Sequence, residues 1–116
     1  MIRAIRAQTL KLVDEDARTF ACVIKAMYQQ DKAATRKALK QAIEVPLRVH
    51  QSAHQIVQAA ERAKKDIPKR YHSDLTCVIA LAKASREAAL AFVETNLAWL
   101  GDQAHTRKVR RKLARA

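Results

Sequence analysis

The sequence has almost none of the residues that break helices. Its 116 residues include one glycine (Gly101) and two prolines (Pro46 and Pro68), and aromatic residues make up only 4%. Hairpins and short-strand folds need many tight turns, which glycine and proline usually supply, so this composition disfavours them. It favours a few long α-helices in one all-α domain of residues 1–116.

Long apolar runs and leader segments are also missing. No stretch of about 18 uncharged apolar residues occurs, because charged side chains between Lys83 and Glu94 interrupt the best candidate. We therefore expect no membrane span. Residues 1–6 have neither the apolar core nor the cleavage site of a signal peptide, so we expect a cytoplasmic protein. Cys22 and Cys77 lie among apolar neighbours, which predicts buried free thiols.

Positive charge divides equally between a short tail and the rest of the chain. The formal net charge is +12; residues 107–116 hold six bases and no acid, and the other 106 residues hold 17 bases and 11 acids. Such a tail can attract an anionic partner. No aromatic residues interleave with its bases for stacking, so nucleic acid is not the expected partner.

Apolar periodicity predicts three long antiparallel helices and a short basic one. The first spans about residues 2–29, and its apolar face repeats at steps of three and four: Leu10, Val13, Ala17, Phe20, Ile24 and Met27. Asp31 is the expected N-cap of the second helix. The apolar pattern of that helix keeps its phase through Pro46, which predicts one helix with a kink. Two hairpinned pieces that meet at the proline are the alternative.

The third helix, over residues 73–101, is apolar on nearly every side. A helix of this kind is usually buried, so we expect it to be the central element of the fold. Ser73 is its expected N-cap and Gly101 its C-terminal stop. Asp102 is the expected N-cap of the short final helix, which carries the basic tail of residues 103–116.

Several polar residues stand out against these apolar patterns. Asp16 lies about 60° from the centre of the first helix's apolar face, counting roughly 100° per residue. Asp14 is its neighbour on that helix, and Asp74 and Asn96 lie at the two ends of the third. Each also has a purely structural interpretation, as a flanking charge, a group favoured by the helix dipole or a register-setting amide.

His50 and His54 lie four residues apart, a spacing that can place two imidazoles on one metal. A third ligand on that face is missing from the sequence. We therefore predict a solvated polar face there and expect no metal.

Three stretches of the chain resemble the formiminotetrahydrofolate cyclodeaminase and methenyltetrahydrofolate cyclohydrolase family. They are residues 12–17 with Phe20, residues 42–47, and residues 73–75 followed at the family's spacing by residues 93–97 and Asp102. The resemblance implies an all-helical domain that self-associates as a dimer, with a folate site between its helices. It also implies chemistry at the N5–N10 bridge of tetrahydrofolate, either loss of ammonia to close the methenyl ring or hydrolysis of that ring.

The resemblance also implies roles for individual residues. Asp14, Asp16 and Asp74 match the family's acidic positions and are the candidate catalytic groups, while a tetrahydrofolate derivative is the substrate. The candidate substrate-binding residues are Ser73, Asn96 and Pro46. Carboxylates suit this chemistry, because ammonia leaves protonated and the attacking nitrogen loses a proton.

The sequence also departs from the family. Family domains begin with two helices and a glycine-rich loop that have no counterpart here, since Gly101 is the single glycine. We expect a domain shortened at its N-terminus, either inactive or completed by another chain, with bare apolar faces that another copy or another chain covers. The alternative is a non-enzymatic helical assembly module that binds an anionic partner through its basic tail.

Overall fold

A computed structural model describes residues 2–115 and places them in four α-helices with no strand. The helices are α1 (Ile2–Tyr28), α2 (Lys32–Ala63), α3 (His72–Leu100) and α4 (Gln103–Ala114). A single turn of 3-10 helix, Lys69–Tyr71, leads into α3. The all-α prediction is confirmed.

Side chains and one glycine set the helix boundaries where the sequence places them. The carboxylate of Asp31 accepts a hydrogen bond from the Ala34 backbone N–H at 3.0 Å, and that of Asp102 accepts one from the His105 N–H at 3.0 Å. Both bonds satisfy N–H groups that a helix start leaves without partners. Gly101 ends α3 in the left-handed conformation, with φ of 63°.

The start of α3 differs from the prediction. Tyr71, and not Ser73, is the N-cap residue, and no side chain makes a capping hydrogen bond there. The 3-10 turn runs directly into the helix, so its last residue takes the capping position. Ser73 therefore lies inside the first turn of α3.

Helix α2 continues without interruption through Pro46. This continuity agrees with one helix and not with two separate pieces. The proline has no N–H, so the carbonyl of Ala42 loses its usual helical partner. Pro46 is buried, which makes its ring part of the packing.

The core forms around α2, which packs against both α1 and α3. Its fully buried side chains include Ile43 and Leu47, which share one cluster with Val93 of α3 and Val109 of α4. The expectation that α3 is the central, buried helix is therefore wrong. On α3 the side chains of Leu81 and Phe92 are 70% and 64% exposed, because α3 packs along one face only.

Helix α1 packs with a different face from the one predicted. Its buried residues are Ile5, Leu12, Val23 and Ala26, whereas Phe20 of the predicted apolar face is 59% exposed. The whole of that predicted face points largely to solvent. Amphipathic spacing identified an apolar surface correctly, but the described residues leave that surface exposed.

Helix α4 is docked on the body of the protein. Val109 is buried, Leu113 packs against the core cluster, and Arg110 makes two hydrogen bonds to Glu94 at 2.8 and 2.9 Å. Lys112 lies 3.5 Å from Glu44 on α2. Exposed ion pairs of this kind contribute little free energy, so the buried Val109 does most to hold the tail in place.

Both cysteines are free and exposed, which corrects the prediction of buried thiols. Cys22 is on α1 and Cys77 on α3, and each of these helices buries only the side that meets α2. Across the described residues, no helix has an apolar stretch long enough to cross a bilayer.

Candidate functional site

A cleft of about 740 Å³ has walls that come from three helices. Helices α1 and α3 flank it, and α2 forms its floor. Most of the lining is apolar, and the polar lining residues are Thr9, Asp16, Thr19, Ser85, Thr95 and Asn96. Apolar walls with a few placed polar groups are typical of small-molecule sites.

Three of the sequence-predicted site residues meet in this cleft. Asp16 comes from α1, Pro46 from α2 and Asn96 from α3. Helical spacing explains their direction: Asp16 lies four residues after the buried Leu12, and Asn96 lies seven after the buried Ala89. Asp16 is exposed, Asn96 is half-buried and Pro46 is buried.

The polar groups of the cleft are mainly hydrogen-bond acceptors. The hydroxyls of Thr9, Ser85 and Thr95 donate to carbonyls one turn back in their own helices, at 2.8 to 3.0 Å, so their lone pairs remain available. Among the described residues, Asp16 is the one charged group that lines the cleft, and its carboxylate makes no ion pair. The amide of Asn96 offers both donors and an acceptor. This arrangement suits a flat, largely apolar ligand that carries N–H groups.

The other predicted site residues lie outside the cleft. Asp14 lines a separate surface depression with Lys11, Glu15 and Arg18, since two residues along a helix turn a side chain by about 200°. Ser73 and Asp74 are exposed in the first turn of α3. From there to Asn96 is roughly 33 Å along the helix axis. The roles of these three residues stay predictions.

The burial of His50 is a polar feature that the sequence pattern did not lead us to predict. His50 is only 9% exposed, its Nδ1 has no hydrogen-bond partner, and the side chain of His54 is half-buried. Burial, followed by the nearby charges of Arg86 and His54, lowers the pKa of His50 below its ordinary value of 6.5. The prediction of a solvated face is therefore wrong for His50. The sequence did contain a signal for this burial: His50 lies three residues before the buried Ala53 and seven before the buried Val57, on the same face of α2.

The two histidines have no third His, Cys, Asp or Glu beside them in the described part of the chain. There, no three His, Cys, Asp or Glu side chains are grouped so that they could hold an ion. Arg86 Nη1 lies 3.0 Å from His54 Nδ1, which places a guanidinium where a metal would bind that nitrogen.

Comparison with known families gives one match. A sequence profile described as "Formiminotransferase-cyclodeaminase" matches residues 1–115. No curated protein and no solved structure matches the chain.

Proposed function

Because this chain belongs to the formiminotransferase-cyclodeaminase family, we propose that it is a folate-related domain that acts on the N5–N10 one-carbon bridge of tetrahydrofolate. The match confirms the resemblance to this family that the motifs predict. One observation carries the proposal: Asp16, Pro46 and Asn96, from three different helices, line a single cleft. A tetrahydrofolate derivative is the proposed substrate.

In this proposal Asp16 transfers the protons. When the methenyl ring closes, the N10 nitrogen attacks the formimino carbon and loses its proton, and ammonia departs from that carbon. A carboxylate within reach of both nitrogens can accept the first proton and deliver it to the leaving group. Asp16 suits this role because it is the charged side chain of the cleft and has no ion-pair partner among the described residues.

Asn96 and the apolar walls bind and orient the substrate. The pterin edge of folate alternates donors and acceptors, which a single amide can match with two hydrogen bonds. Phe20, Phe92 and Trp99 line the same cleft and offer aromatic surface to a flat ring. Pro46, on the floor, adds apolar surface and no N–H donor.

The proposed fold is an antiparallel bundle of the three long helices, bent at Pro46. Two contacts support an antiparallel arrangement of α1 and α2. Glu15 pairs with Arg48, and Ile5 lines a depression with Ile56, so the residue numbers on α2 increase as those on α1 decrease. The direction of α3 is supported in the same way by its contact between Arg86 and His54 and by the cluster that contains Val93.

Self-association is part of the proposal, since large apolar side chains are exposed on α1 and α3, and four of them line the cleft. We define the apolar face by its large exposed residues: Val13, Phe20, Ile24 and Met27 of α1 with Leu81, Phe92 and Trp99 of α3. These side chains expose on the order of 900 Å², comparable with the roughly 800 Å² that each partner buries in a standard interface. The chain is also elongated, since its radius of gyration is 16.7 Å, whereas a compact domain of this length has about 13 Å.

A second copy on the apolar face would also cover the cleft. Asp16 is exposed in the single chain, and proton transfer is more effective where water is excluded. In one copy, Ser73 and Asp74 lie too far along α3 to reach a ligand beside Asn96. Their proposed role therefore depends on the assembled form, as does that of Asp14.

The alternative is a non-enzymatic module that binds an anionic partner through its tail. Arg110 and Lys112 already pair with acids of the body, which reduces the charge that the tail offers. Four exposed bases, Arg107, Lys108, Arg111 and Arg115, remain for such a partner. Changing all four to glutamine should leave folate chemistry unchanged and should abolish tail-dependent binding.

A turnover assay tests the proposed activity. The purified chain is supplied with formiminotetrahydrofolate or with methenyltetrahydrofolate, and the absorbance of the methenyl ring is followed. Asp16→Asn should lower the rate by roughly 100-fold or more. Asp66→Asn, which makes the same change at an exposed residue outside the cleft, should preserve the rate. No turnover of either substrate by the associated chain would remove the catalytic proposal.

A further inference from the structure

A second, smaller depression lies where α4 packs beside α2. Its volume is about 300 Å³ and it is lined by Gln51, His54, Gln55, Gln58, Lys112 and Arg115. Two of these residues are cationic and none is acidic. The depression is distinct from the large cleft, with which it shares no residue.

The contact between His54 and Arg86 fixes the proton of the imidazole. Arg86 Nη1 lies 3.0 Å from His54 Nδ1, and a guanidinium can only donate. Nδ1 must therefore accept, so the neutral ring carries its proton on Nε2. The Nε2–H group of His54 is therefore a hydrogen-bond donor, and the ring that carries it lines the depression.

The remaining lining groups are also donors. Gln51, Gln55 and Gln58 follow one another at helical spacing along α2, and each amide has two N–H groups. Lys112 and Arg115 are three residues apart on α4 and its C-terminal cap, so their side chains reach the same side. The closest acid to Lys112 is Glu44, at 3.5 Å, and both side chains of that pair are more than a third exposed.

We propose that this depression binds an oxyanion of the phosphate class. Arg115 supplies a fork of N–H groups and Lys112 a point charge, while His54 and the glutamine amides complete the donor set. The negative end of the α4 dipole lies near Arg115 and opposes an anion, so binding depends on both cations. The space equals about ten water volumes at roughly 30 Å³ each, which accommodates a phosphate group with a small substituent.

Calorimetric titration of the full-length chain with inorganic phosphate, at constant ionic strength, tests the site. Saturable binding at one site is expected. Arg115→Gln and Lys112→Gln should each weaken it by roughly tenfold, the loss of one charge-assisted hydrogen bond. Arg111→Gln is the matched control, because it removes the same charge from α4 but does not line the depression. Circular dichroism checks that each variant keeps its helices.

A parallel titration with glycerol phosphate distinguishes the two sources of this chemistry. Tighter binding of the ester identifies a phosphomonoester ligand, and equal or weaker binding identifies the free anion; either result supports the site. Side-chain amide signals of Gln51, Gln55 and Gln58 should shift in nuclear magnetic resonance spectra as phosphate is added. Absence of saturable binding would overturn the proposal, as would an equal loss in Arg111→Gln, which would indicate general charge attraction.

Discussion

Asp16 of α1 and Asn96 of α3 line the same cleft although 80 positions separate them in the sequence. Helices α1 and α3 each pack on α2. Each of them places one polar residue beside Pro46, which lies on the floor of the cleft. The geometry of the candidate site therefore depends on the α2 core. Changes to that core should alter binding and stability together.

Truncation of the α2 core should be strongly destabilising. Ile43 is fully buried, so Ile43→Ala should lower the free energy of unfolding by about 2–5 kcal/mol. Leu10→Ala is the matched control, since Leu10 is 60% exposed and its loss should cost well under 1 kcal/mol. Urea denaturation followed by circular dichroism measures both. Equal losses would mean that Ile43 is not in the core.

Replacement of Pro46 should raise the free energy of unfolding and weaken ligand binding. Pro46→Ala restores a helical N–H for the carbonyl of Ala42, and the gain exceeds the apolar surface lost, so we expect unfolding to cost about 1–2 kcal/mol more. The same change removes part of the cleft floor and should weaken folate binding. Thermal unfolding and ligand titration on one preparation test both effects. A destabilised variant would contradict this account of the proline.

Stability should fall in mild acid because of His50. Its pKa is lowered in the folded protein, chiefly by burial, so the unfolded chain binds the proton more readily. The stabilising contribution of the neutral ring is complete above the unfolded pKa of 6.5 and is lost as the pH falls from there through the folded pKa.

His50→Gln should therefore flatten the dependence of unfolding free energy on pH below 6.5. Some slope should remain, because burial and then Lys40 lower the pKa of His105 as well. Denaturation curves at several pH values between 5 and 8 provide the measurement, with His72→Gln, at the first residue of α3, as the control. An unchanged slope in His50→Gln would show that His50 is not the responsible group.

The apolar face should mediate self-association. Phe92→Ser removes a side chain of this face that is 64% exposed and should shift the chain toward monomer by at least tenfold in dissociation constant. Tyr71→Ser, at the connector before α3, removes another exposed aromatic ring outside this face and should change little. Analytical ultracentrifugation over a concentration series decides between them. A wild-type chain that stays monomeric at high concentration would refute the interface.

Much of the fold could be predicted from local chemistry. The N-caps Asp31 and Asp102 and the left-handed Gly101 are short-range features, and the structure places all three as expected. Ser73 failed as a cap because the preceding 3-10 turn, which leaves little trace in the sequence, occupies that position.

Packing partners could not be predicted from periodicity. The apolar spacing on α1 identified a real surface, but spacing cannot tell whether the partner is in the same chain. For this reason Phe20 is exposed while Leu12 is buried. The same limit applies to α3, whose apolar faces exceed what α2 can cover.

The candidate site was predicted in part. Residues 12–17 marked both Asp14 and Asp16, yet two positions on a helix point to nearly opposite sides, and only Asp16 lines the cleft. His50 was assigned to a solvated face because histidine is usually taken as polar, although its spacing from Ala53 and Val57 matched the buried face.

Equilibrium binding of methenyltetrahydrofolate to the intact chain is the most direct test of the folate cleft. Saturable binding is expected, weakened roughly tenfold by Asn96→Ala and also weakened by Asp16→Asn, while Asp66→Asn, at an exposed residue outside the cleft, should bind like the wild type. No binding at millimolar ligand, or equal losses in Asp66→Asn and Asp16→Asn, would contradict the folate cleft.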